Sequence, residues 1–119
     1  MAYLAESKYG RETQDKFMEA IFTRYFLKGE TPCDRDVLLA AATEAGLDRE
    51  ECEKVIADDD AFAAEVEEQK RRFAARVSGV PHFIISHGGR RLEFGGAQPP
   101  DVFAEAFVDL LGIDELVVE

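Results

Sequence analysis

Hydrophobic positions in the first two-thirds of the chain recur with helical spacing. From about Arg11 to Lys28 the apolar residues fall three and four positions apart, which is typical of a wide helical face. Gly29 is predicted to end this helix. A face this wide predicts a helix with more than one packing neighbour. Its apolar members are Phe17, Met18, Ile21, Phe22, Tyr25 and Phe26.

Capping residues predict two shorter helices after that glycine. Asp34 or Asp36 is expected to cap the first, and Gly46 is expected to end it in the left-handed conformation. Asp48 is followed three residues later by Glu51, which resembles a capping box with Asp in place of Ser or Thr. This pair is expected to open the second helix.

A longer helix is predicted from about Ala61 to Val77. The acidic run Asp58–Asp60 precedes it, where negative charge favours the positive end of the helix dipole. The apolar stripe of this helix is predicted to consist of Phe62, Val66, Phe73 and Val77.

The hydrophobic period changes after Gly79. Residues 80–86 are β-branched and aromatic without helical spacing, and residues 90–94 alternate weakly between apolar and polar. These patterns predict two strands, and His87-Gly88-Gly89 predicts the turn of an antiparallel hairpin.

A last helix is predicted to begin at Asp101, because the prolines before it suit the first turn of a helix. The order is therefore four helices, a hairpin and a helix, which indicates an α/β fold. A lone hairpin is marginal in water, and residues 83–85 resemble a buried strand on an unpaired edge. Further strands or a partner are expected to cover that edge. The apolar face of the last helix is predicted to be buried and consists of Val102, Phe103, Ala106, Phe107, Leu110 and Leu111.

Length and composition favour a single acidic domain. The chain has 119 residues and a formal net charge of -11, which argues against nucleic acid as a partner. No apolar run approaches the roughly 20 residues of a membrane span, so no membrane partner is expected. The start has no secretory signal pattern, which favours the cytoplasm, with an organelle left open if a targeting segment precedes this sequence.

The cysteines and histidines give little support for a catalytic or metal site. Acidic neighbours of Cys52 are expected to raise the pKa of its thiol, and a redox pair with Cys33 would require their helices to pack together. His82 and His87 have no Cys, Asp or Glu in the same segment, so no metal site and no cofactor are predicted. A local concentration of basic residues is interpreted as a solvated face, with the steering of an acidic partner as the alternative; it consists of Lys70, Arg71, Arg72, Arg76, Arg90 and Arg91.

One stretch resembles a known family. Val77-Ser78-Gly79-Val80-Pro81-His82-Phe83-Ile84-Ile85, followed by Gly95-Gly96-Ala97-Gln98-Pro99-Pro100 and an amphipathic helix, resembles the C-terminal half of DsbA-like thioredoxin-fold oxidoreductases, and most closely the FrnE-like subfamily. The upstream helices resemble the helical insertion of these proteins. The resemblance implies an incomplete thioredoxin-like domain over 1–119, with the insertion over about 1–77 and a strand-hairpin-helix half over about 78–119.

The same resemblance implies a substrate site without catalytic residues. It gives Pro81 a cis peptide bond and has the backbone of Val80 pair with an extended protein or peptide substrate. His82, directly after the proline, is expected to line the same groove. Family members carry a reactive Cys-x-x-Cys, whereas these 119 residues contain none and are expected to begin after its position.

Three functions follow as alternatives. The chain is expected to be part of a thiol-disulfide oxidoreductase and inactive alone. Alternatively, it is a redox-dead binding or assembly subunit, which forms a homo-oligomer or joins a partner chain through the strand containing Phe83 and Ile85. A third alternative is a relative of kappa-class glutathione transferases or hydroxychromene-carboxylate isomerases.

Overall fold

A computed structural model describes residues 1–114 of the protein; residues 115–119, the end of the expected C-terminal half, lie outside the described residues. The chain divides into two compact units. We call Met1–Gln69 the helical unit and Lys70–Glu119 the hairpin unit, and each is described by itself.

The helical unit contains the four helices that the sequence pattern predicts and, before them, a short N-terminal helix that the pattern did not predict. The N-terminal helix and the helix that begins at Arg11 each continue into one π-helical turn, a widening that the pattern did not predict either. The elements are α1 (Ala2–Leu4) with a π-helical turn over Ala5–Tyr9, α2 (Arg11–Phe22) with a π-helical turn over Thr23–Leu27, α3 (Arg35–Glu44), α4 (Arg49–Ala57) and the start of α5 (Ala63–Ala74).

The core of the helical unit lies around α2, which contacts both α1 and α3, while α3 also contacts α4. This confirms the prediction of a helix with more than one neighbour. The prediction is wrong for the end of its apolar face, since the Phe26 side chain is 72% exposed. The π-helical turn breaks the 3.6-residue period after Phe22, so the later residues leave the packed stripe. The buried residues are Leu4, Ala5, Phe17, Ala20, Ile21, Leu39, Ala41, Ala42, Ala45, Leu47 and Cys52.

Side-chain caps begin α3 and α4. Of the two candidates for α3, Asp34 is the cap, and its carboxylate accepts a hydrogen bond from the Asp36 backbone N–H at 2.8 Å. Asp48 caps α4 by accepting from the Glu51 backbone N–H at 2.9 Å. Gly46 follows α3 with a φ of 94°, which confirms the predicted stop.

The long helix is shorter than the pattern predicts. α5 covers Ala63–Ala74 instead of residues 61–77. Phe62 lies before the helix with a φ of 59°, which is incompatible with helical continuation, and its ring packs 5.1 Å from that of Tyr3. The predicted stripe therefore does not form one continuous face, and Phe73 near its other end is 64% exposed.

The hairpin unit contains the two predicted strands and the last helix, but the first strand begins at His82 instead of residue 80 and includes His87, which was predicted to lie in the turn. β1 (His82–His87) and β2 (Arg90–Gly95) pair in antiparallel register, with His87 opposite Arg90. Gly88 and Gly89 form the two-residue loop, and their φ values of 57° and 78° suit the right-handed twist of a tight hairpin. The helix α6 (Pro100–Leu111) starts at Pro100, one residue before the predicted start.

One face of the hairpin packs on α6 through aromatic rings. The Phe103 ring lies 4.8 Å from Phe83 and 5.1 Å from Phe94. The prediction that the whole apolar face of α6 is buried is wrong, because Phe107 is 38% exposed and Leu111 is 45% exposed. A two-stranded layer is too narrow to cover so broad a face. The buried residues of α6 are Ala106 and Leu110.

Candidate functional site

The candidate site begins at the turn that leads into β1. The Val80–Pro81 peptide bond is cis, as the family resemblance implied. The Pro81 carbonyl accepts a hydrogen bond from the Gly96 N–H at 2.8 Å, which extends the hairpin pairing by one residue. The Val80 side chain is 90% exposed, and its backbone groups make no hydrogen bond with the described part of the chain.

The hairpin register determines which backbone groups of β1 are free. The bond between Gly96 and Pro81 makes these residues a hydrogen-bonded pair, and such pairs alternate along an antiparallel ladder. Residues 83, 85 and 87 therefore direct their backbone groups to β2. His82 and Ile84 direct theirs to the other side, where none of residues 1–114 forms a third strand.

A groove of about 560 Å³ lies on the hairpin face opposite α6. Its lining is mostly apolar, with arginine and histidine side chains but no carboxylate among the described lining residues. The groove therefore offers apolar contacts and positive charge beside the free backbone edge of β1. Its lining residues are Phe73, Ala74, Arg76, Val77, Val80, His82, Ile84 and Arg91.

A carboxylate on β2 holds two of these lining side chains. His82 Nε2 lies 3.1 Å from Glu93 Oε1, and Arg91 donates to the same oxygen at 3.0 Å. The hydrogen bond from His82, aided by Arg91, lowers the pKa of the Glu93 carboxyl below its ordinary value. The imidazole and one guanidinium are thereby fixed at the groove.

The groove lining includes two of the three sequence-predicted site residues. Val80 and His82 line the groove, and Pro81 lies between them in the chain. Sequence analysis missed Glu93, although the register could have found it: once a two-residue loop is accepted, Glu93 is diagonal to His82 on the same face. It also assigned Arg76 to a solvated face, because no local pattern signals that this residue lines a groove.

The two cysteines lie in the helical unit in different environments. Cys33 is exposed and Cys52 is buried, and both are free thiols. Burial, with smaller contributions from Glu51 and Asp48, raises the pKa of the Cys52 thiol. The predicted direction is confirmed, although burial rather than the acidic neighbours is the main cause. A raised pKa disfavours the thiolate that thiol-disulfide exchange needs.

Residues 1–114 contain neither a cluster of metal ligands nor a membrane-spanning helix. No three His, Cys, Asp or Glu side chains within that range converge as a group able to hold a metal ion. None of its helices combines the length and the apolar character that crossing a bilayer requires.

Comparison with known proteins agrees with the fold. The family model of the DSBA-like thioredoxin domain matches residues 1–108, which is most of the chain. No curated protein matches the sequence. The helices, the antiparallel hairpin and the closing helix constitute a partial α/β thioredoxin-like fold, as predicted. The chain therefore belongs to the DSBA-like thioredoxin domain family.

Proposed function

We propose that the hairpin unit binds an extended polypeptide segment, which pairs with the free edge of β1 and with the backbone of Val80. Val80, Pro81 and His82 are the substrate-binding residues in this proposal. The observation that carries it is the coincidence of free backbone groups and a groove in the same residues. His82 and Ile84 direct their backbone groups away from β2, and their side chains line the groove. Strand addition uses this combination: the backbone supplies affinity and the groove supplies selectivity.

The proposal includes the redox chemistry of the family. We place the chain in the FrnE-like subfamily of thiol-disulfide oxidoreductases, with no dithiol exchange by these 119 residues alone. The support is that Cys33 and Cys52 are 19 positions apart in sequence, not in a Cys-x-x-Cys, and that the pKa of Cys52 is raised. Insulin reduction by the purified chain should therefore stay at background. Turnover that Cys33→Ser or Cys52→Ser abolishes would contradict this.

A peptide with selectively blocked amides tests strand addition. The probe is a fluorophore-labelled Val-Thr-Val-Thr-Val peptide in two N-methylated forms, one blocked at odd residues and one at even residues. Strand pairing uses the amides of alternate residues, so one form should bind much more weakly than the other. Amide chemical-shift changes should concentrate at residues 80, 82 and 84. Equal binding of both forms would overturn the proposal.

Homodimerisation through β1 is the second candidate function. The observation that favours it is the apolar exposure beside the free edge, since Ile84 is 53% exposed and Val80 is 90% exposed. Two copies could pair these edges and cover both grooves at once. In that case the chain would act as an assembly subunit and would not bind a peptide substrate.

A further inference from the structure

We infer that the groove of the hairpin unit prefers a bound segment that carries a carboxylate between apolar side chains, and that Arg76 recognises this carboxylate. The inference rests on the proposed function and adds to it the chemical class of the segment. An apolar groove alone would select a segment only for its hydrophobicity. The basic side chains of this groove add a selection for charge.

The charge of the groove carries the first step. Two arginines and a histidine line it, and none of the described lining residues is acidic. Glu93 binds His82 and Arg91 from beside the groove, so the local excess of positive charge rests on Arg76, in a chain with a net charge of -11. Within the groove, an anionic side chain would meet attraction where the molecule as a whole repels it.

The pairing of the two guanidinium groups carries the second step. Arg91 is engaged by Glu93 at 3.0 Å, so its charge is largely compensated. Arg76 lies in the turn after α5 and forms no ion pair with any residue in the range 1–114. Its guanidinium is the cation of the groove that remains available for a bound carboxylate.

The surroundings of Arg76 carry the third step. The groove also contains Phe73, Val77 and Ile84, so apolar side chains lie beside an ion pair formed there. Phe73 and Ile84 are 64% and 53% exposed in the free chain, and a segment bound over them would exclude part of the water around the pair. Partial removal of water strengthens an ion pair relative to an exposed one. The apolar neighbours would hold the hydrophobic residues on either side of the carboxylate. This arrangement matches an extended segment with the alternation Val-Thr-Glu-Thr-Val.

Matched peptides test the preference directly. The probes are fluorophore-labelled Val-Thr-Glu-Thr-Val and its twin Val-Thr-Gln-Thr-Val, which differ only in charge. By fluorescence polarisation at low salt, the full chain should bind the Glu peptide about threefold to tenfold more tightly than the Gln peptide. Arg76→Gln should remove this difference and Arg76→Lys should keep most of it. Arg11→Gln removes the same charge from an exposed residue outside the groove lining and should leave the difference unchanged.

The outcomes separate this inference from the proposed function. Equal binding of both peptides by the wild-type chain would overturn the acidic preference while strand addition stands. An equal loss of affinity for both peptides in Arg76→Gln would also overturn it, because Arg76 would then act by packing alone. Failure of both peptides to bind would overturn the proposed function itself. If a second copy fills the groove, the wild-type chain will sediment as a dimer that the Glu peptide does not dissociate, which also overturns the inference.

Discussion

A network of four residues fixes the start of α4. Tyr9 donates from its hydroxyl to Glu51 Oε2 at 2.7 Å, and the same hydroxyl accepts from the Asp48 backbone N–H at 3.2 Å. Glu51 also binds Lys8. The predicted capping box is therefore only half formed, because Tyr9 takes the backbone N–H that the Glu51 carboxylate would otherwise bind.

Loss of the Asp48 side chain should destabilise the helical unit. Asp48→Ala removes the acceptor of the Glu51 N–H and should cost about 1 kcal/mol of unfolding free energy, whereas Asp48→Asn should keep most of the cap. All three tyrosines lie in the helical unit, so tyrosine fluorescence in a urea titration reports on it. Asp36→Ala, which removes a carboxylate from the first turn of α3 that caps no backbone N–H, is the control. An equal effect of both alanine variants would contradict the assignment of the cap.

Glu51 should make the stability of the helical unit depend on pH. The hydrogen bond from Lys8, and then that from Tyr9, lowers the pKa of the Glu51 carboxyl below its ordinary value of 4.5. A carboxyl whose pKa is lower in the folded state stabilises that state fully above the unfolded pKa and loses the effect as pH falls through the folded pKa. The urea midpoint should therefore drop below about pH 4.5, and the drop should be smaller in Glu51→Gln. Matching pH profiles for the two proteins would contradict this role.

At the scale of elements, the ring of Phe103 and the ion pair between Arg90 and Asp109 hold α6 on the hairpin. Phe103 touches two rings of the sheet, whereas Phe107 on the same helix is 38% exposed. Phe103→Ala should destabilise the hairpin unit by about 2 kcal/mol, which is less than for a fully buried ring because Phe103 is only partly buried. Phe107→Ala should cost less than about 0.5 kcal/mol. Amide hydrogen exchange in residues 82–95 measures the loss of stability in each variant. An equal loss in Phe103→Ala and Phe107→Ala would contradict the packing described.

Elements with local signals could be predicted from the sequence. A capping aspartate such as Asp34 bonds to a backbone N–H two residues away, and the glycines at 88 and 89 meet the backbone demand of a two-residue loop. In both cases the deciding interaction lies within a few residues of the signal. The free edge of β1 and the position of Glu93 follow from the register, which the sequence analysis did not reach because it assigned His87 to the turn.

Features that depend on distant contacts could not be predicted in this way. The Tyr9–Glu51 bond joins residues 42 positions apart, and the left-handed Phe62 is recognisable only when its packing against Tyr3 is known. The groove position of Arg76 likewise follows from how the end of α5 lies beside β1 in the hairpin unit. Charge runs in sequence carry no record of such tertiary neighbours, so the solvated face remained the default interpretation.

At the scale of the whole molecule, the described chain exposes two apolar regions, besides the partly exposed end of α6, that a partner could cover. One is the end of α2 with its π-helical turn, where Phe26 and Leu27 are 72% and 81% exposed. The other is the groove beside β1, which includes Ile84. Only the second combines apolar area with unpaired backbone groups, so it should dominate association of the chain with itself.

Single lysines should distinguish the two regions. Ile84→Lys places a charge on the free strand edge, where lysine opposes edge-to-edge pairing, and should shift the chain towards monomer in sedimentation velocity over a concentration series. Phe26→Lys removes a comparable apolar side chain from the helical unit and should leave the monomer–dimer balance unchanged. Phe83 and Ile85, in which sequence analysis placed the contact, share the strand face turned to α6, so Ile84 is the side chain to change. Dissociation by Phe26→Lys alone would place the dimer interface in the helical unit. The edge of β1 would then remain available for peptide binding.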